Sequence, residues 1–127
     1  MGRFLPPDHS KGDERTLGGY IAVHARPAAF EGSDGLSYSA SIEADETGEP
    51  GGRYGAYIVF VRWGQGDPRI TGHLETGFLA RGATEDEARA TVGAISLAEA
   101  KRILDALIRE HAGAQRSRPW WEAMHDE

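Results

Sequence analysis

Cysteine is absent from the 127 residues. That excludes a disulfide framework, a thiol nucleophile and a thiolate metal site together. Lysine is almost absent, with only Lys11 and Lys101 among 14 basic residues. The preference for arginine reads as the coding bias of a bacterial-type protein and carries no weight for function. Acidic residues number 20, leaving a net charge of −6 that is spread along the chain rather than gathered in a tail. Non-specific nucleic-acid binding runs on Lys and Arg, so this balance makes a nucleic-acid partner an unfavourable expectation. No apolar run is long enough for a membrane span and nothing reads as a signal peptide, so a cytoplasmic location without membrane contact is expected. Internal repeats and low-complexity runs are missing. Gly64 and Gly66 form the spacing G-x-G, but no strand–GxGxxG–helix unit surrounds them, and they read as turn glycines.

The most strongly patterned stretch is Ile95 to His111. Ser96 and Glu99 make a capping-box pattern at its start. Leu97, Ala100, Ile103, Leu104, Leu107 and Ile108 recur at steps of three and four and form one apolar stripe. Asp105 and Arg109 are spaced as an ion pair, and Gly113 stands where a left-handed cap would end the helix. A second cap pattern, Thr84 with Glu87, predicts a short helix over about 85–92, with a fifth strand over 90–95 as the alternative.

Four strands are predicted ahead of these helices. Residues 20–26 alternate, with Ile21, Val23 and Ala25 on one side, and Pro27 stops them. Residues 36–45 carry the clearest period of two, with Tyr38, Ala40, Ile42 and Ala44 inward and Ser39, Ser41, Glu43 and Asp45 outward. Residues 53–63 are apolar on both sides, Ile58 and Phe60 against Tyr57, Val59, Val61 and Trp63, which predicts a central strand. Residues 69–81 form the fourth, with Ile70, Leu74, Phe78 and Ala80 on one face and His73 and Glu75 on the other. Short links between successive strands imply an α+β domain: a four-stranded antiparallel meander with the C-terminal helix, and the short helix before it, packed on one face. Residues 1–16 read as a flexible arm, 17–113 as the domain, and 114–127 as a tail carrying Trp120 and Trp121.

No catalytic set can be assembled. His24, Glu43, Arg62, His73 and Glu75 are expected on a polar sheet face, but their spacing carries no metal signature, and neither a metal nor a cofactor is expected. Ser39 and Ser41 lack the G-x-S-x-G context of a nucleophile. The second apolar face of the third strand is the more informative feature. Tyr57, Val59, Val61 and Trp63 need a cover, either a second copy of the same face or the tail tryptophans Trp120 and Trp121. The expected function is a non-catalytic binding domain acting as a homodimer, with a protein partner engaged through the tail. Two alternatives stand beside it. One is a single-strand nucleic-acid binder using Tyr20, Tyr57 and Trp63 with Arg26 and Arg62. The other is an acidic inhibitor that mimics nucleic acid.

Overall fold

The computed structural model describes residues 6–64 and 70–117. In chain order the elements are α1 (Leu17–His24), β1 (Ala28–Glu31), β2 (Ser37–Glu46), β3 (Tyr54–Trp63), β4 (Ile70–Glu75), β5 (Ala80–Gly82), α2 (Glu85–Gly93) and α3 (Leu97–Ser117), with a single 3-10 turn at His9–Lys11 before α1. The strands pair antiparallel in the order β1-β2-β3-β4, and β5 also pairs with β3. This is the four-stranded meander with helices on one face. No helix among the described residues is long and apolar enough to cross a membrane.

The first strand lies elsewhere than the alternation suggested. Residues 20–26, expected as a strand, belong to α1 and the turn after it, and β1 begins only after Pro27. Leu17, Tyr20, Ile21 and His24 also fall at helical spacing, and seven alternating residues cannot separate the two periods. The ends decide. Thr16 accepts a hydrogen bond from the Gly19 amide at 3.0 Å, and Ala25 takes a left-handed φ of 54°, a start and a stop for one short helix.

The single fourth strand is instead two. β4 and β5 run along the same edge of β3, and Thr76–Leu79 bulge between them. The bulge is stitched down where it leaves and returns: Ile58 N–H donates to Thr76 Oγ1, Thr76 N–H to the Ile58 carbonyl, and Leu79 N–H to the Ala56 carbonyl. Phe78, expected inward, is consequently 42% exposed.

Both predicted helices are present. Thr84 Oγ1 accepts from Glu87 N–H at 3.1 Å and caps α2, so 85–93 is helix and the fifth-strand alternative falls. Ser96 Oγ accepts from Glu99 N–H at 3.0 Å, but the Glu99 carboxylate turns to Arg102 and makes only half of the expected box. The helix passes through Gly113 to Ser117, so the start of the expected tail is helical. The starts of α1 and α3 clasp each other: Leu17 N–H donates to the Ile95 carbonyl and Leu97 N–H to the Arg15 carbonyl, both at 2.8 Å.

The core lies between the sheet and the helices. Tyr38, Ala40, Ala56, Ile58 and Phe60 face inward from β2 and β3, against Leu17 of α1, Ala88 and Val92 of α2 and Leu104 of α3. Each large aliphatic so buried contributes roughly 1.5–3 kcal/mol before conformational entropy is set against it. Where α1 meets α2 the approach is backbone to backbone: a Cβ on Gly18 would stand 2.9 Å from the Gly93 Cα.

Candidate binding surfaces

The outer sheet face is built by β3 and its neighbours. Strand register sets Ala29, Ser39, Val61 and His73 in one row, Ser41, Val59 and Glu75 in the next, and Glu43 beside Tyr57. Tyr57, Val59, Val61 and Trp63 are all partly exposed, and the buried cluster with its packed neighbours lies on the other face. Polar neighbours hold both ends of this strip. Trp63 Nε1 donates to Ser39 Oγ at 3.0 Å, and Tyr57 OH donates to Asp45 Oδ2 at 2.9 Å. The Asp45 hydrogen bond pushes the Tyr57 phenol above its ordinary value, because ionisation would remove the donor. His73 and Glu75 share the face as expected, 3.5 Å apart at their nearest polar atoms.

The rest of the expected polar set is dispersed. His24 is on α1, not on the sheet; its Nε2 lies 3.2 Å from Glu14 Oε2, which also meets His9 Nε2 at 2.9 Å. Arg62 is opposite Tyr38 and so on the inner face, apart from Glu43, His73 and Glu75. There it faces Tyr38, whose phenol is raised first by burial and next by its 2.8 Å hydrogen bond to Asp34, while Arg62 acts the other way. Tyr20 and Arg26 form a stack of their own at the end of α1, with the guanidinium 5.5 Å from the ring centroid and the His24 ring 4.4 Å away on Tyr20. The basic half of the predicted nucleic-acid face is therefore not on the outer face. Among the described residues no group of three His, Cys, Asp or Glu side chains is placed to hold a metal ion. Trp120 and Trp121 lie outside the described residues.

A second surface had no counterpart in the sequence reading. A groove of about 840 Å³ runs between α1, α2 and the edge of β2. Gly18, Gly19, Ile21, Ile42, Ala90 and Gly93 form apolar parts of its wall, and Lys11, Arg26 and Arg89 stand around it with Asp13 and Asp86. Asp13 is engaged by Arg15 at 3.2 Å. Arg89 reaches across to the Ile42 carbonyl at 2.6 Å. The groove exists because residues 17–24 are helical, which the sequence marks by Thr16, a capping residue with no Glu three places on, and by the helical spacing of Leu17, Tyr20, Ile21 and His24. Set against protein-family models, curated proteins and solved structures, the chain matches none of them.

Proposed function

We propose that the protein is a non-catalytic binding domain that works as a homodimer, with the outer face of β3 as the contact. The observation behind this reading is the strip Tyr57, Val59, Val61 and Trp63, half-buried by its own neighbours and with the helices packed on the opposite face. The four side chains stand side by side on the sheet face and are only partly covered, which makes them a contiguous apolar strip open to a partner. A two-fold axis covers it at once, because an isologous contact needs only one self-complementary surface. Sedimentation tests the proposal. The wild-type chain is expected at twice its 13.8 kDa mass and Val59→Glu at the single mass with its fold intact by circular dichroism. A wild-type monomer, or a Val59→Glu particle of unchanged dimer mass, overturns it.

One observation favours a second reading. Glu43, Asp45 and Glu75 border the strip, whereas Arg62 is on the other face. An acidic rim around an apolar centre suits a basic protein partner, as the inhibitor reading requires. Such a complex would weaken as salt is raised.

A further inference from the structure

β2 is longer than its neighbour β1. β1 pairs only with Ser37–Ala40, whereas β3 pairs with β2 all the way to Glu46. Among the described residues, Ser41–Glu46 therefore has a strand on one side only. In an antiparallel ladder the N–H and C=O of one residue point to the same side, and alternate residues point alternately. The Ile42 carbonyl meets Arg89, so Ile42 points away from β3, and Ala44 points with it. The open edge thus offers the Ile42 N–H and both peptide groups of Ala44, and Ser41 and Ile42 belong to the wall of the groove.

We propose that this edge binds an extended carboxyl-terminal peptide segment, added antiparallel to β2, with its terminal carboxylate in the groove beside Lys11, Arg26 and Arg89. Polarity fixes the direction. A segment antiparallel to β2 runs from Glu46 toward Ser41, so its carboxyl end arrives where Arg26 and Pro27 enter β1. Beyond that point the lane is filled, since Ala28 already stands opposite Ala40. A chain end fits there and a continuing chain does not. The charges agree. Among the described residues neither Lys11 nor Arg26 forms an ion pair; Asp13 of the same wall is engaged by Arg15, Asp86 is the opposing charge, and Arg89, 3.9 Å from Glu85, adds a guanidinium at the carbonyl where pairing would stop. Main-chain bonds would supply affinity and the cations the preference for a terminus. Residues of the segment beside Glu43 and Asp45 would be Lys or Arg, and those beside Ile42 and Ala44 small and apolar. The same carboxylates oppose a second copy on this edge, because antiparallel self-pairing sets Glu43 and Asp45 against each other.

The test uses the full chain and a fluorescein-labelled Gly-Lys-Val-Lys-Val peptide, as free acid and as amide, read by anisotropy. The free acid is expected to bind, and the amide about tenfold more weakly or worse. The double variant Lys11→Ala, Arg26→Ala should reduce the acid to the level of the amide. Ala44→Pro removes one edge donor and leaves the β3 ladder untouched, so it should abolish binding. Arg102→Ala, an exposed substitution on α3, should leave binding unchanged. No binding, equal binding of acid and amide, or full binding by a folded Ala44→Pro chain overturns the proposal. Self-association that Ala44→Pro abolishes also overturns it, by making a second copy the occupant. If Ala44→Pro does not fold, amide exchange of the wild type decides: peptide must slow the Ile42 and Ala44 amides, and unchanged exchange overturns the proposal.

Discussion

Asp105 illustrates what a single side chain contributes. Its carboxylate accepts from Lys101 Nζ at 2.6 Å and from the Ser33 N–H at 2.9 Å, which ties α3 to the β1–β2 hairpin. Helical spacing offered Arg109 as the partner, and Lys101 sits at the same spacing in the other direction. The choice follows from Ser33, whose amide holds the carboxylate from 72 residues away, and sequence spacing carries no trace of that contact. The Lys101 hydrogen bond, first, holds the Asp105 carboxyl below its ordinary 3.8, and the Ser33 amide adds to it against desolvation. A depressed carboxyl stabilises the fold above the unfolded value, and that contribution is lost as pH falls through the lower folded value. Urea melts between pH 6 and 2 should therefore show Asp105→Asn less stable than wild type at pH 6, with the gap narrowing below about pH 4. A gap that stays constant down to pH 2 would remove Asp105 from the acid response.

Among the elements, the ones with long patterns were legible and the shortest α-helix was not. β2 supplies ten residues of clear alternation, β3 ten that are apolar on both faces, and α3 an apolar stripe over three turns, so element type and inward face followed from side-chain period, while the register comes from the ladder itself. α1 has eight residues, and its period is ambiguous over that length. Its local caps, Thr16 and Ala25, are joined by a tertiary contact, the approach of Gly18 to Gly93 that lets α1 lie directly on α2. β-carbons would force the pair apart. Gly18→Leu should lower stability by at least about 1–3 kcal/mol, as overpacking does, read as a shift in the denaturation midpoint. A midpoint within error of wild type would mean that α1 is not held in this position. The groove stands or falls with the same contact, because Gly18 and Gly93 are both in its wall.

At the scale of the whole molecule, the sequence distinguished the wet and dry sides of the sheet but not what lies at its ends. Alternation in β2 placed Tyr38 and Ala40 in the core and Ser39 outside, and both placements hold, at 1% and 0% exposure for the inner pair. Arg62 and His24 were misplaced because their environment comes from other elements: Tyr38 across the ladder for one, and Glu14 before α1 for the other. The clasp between the starts of α1 and α3 joins residues about 80 apart in sequence, at the bridge of Thr16 with Ser96, so forming it closes most of the described chain into one loop. Each helix start supplies the carbonyl that satisfies the other's first amide. Neither can fray alone without orphaning the other, so the two distant segments should open as one cooperative unit. Native-state hydrogen exchange would then give the Leu17 and Leu97 amides the same opening free energy, and Ser96→Ala would lower both by one common amount, about 0.5–2 kcal/mol for a lost cap. Distinct values for the two amides would mean that the helix starts breathe independently.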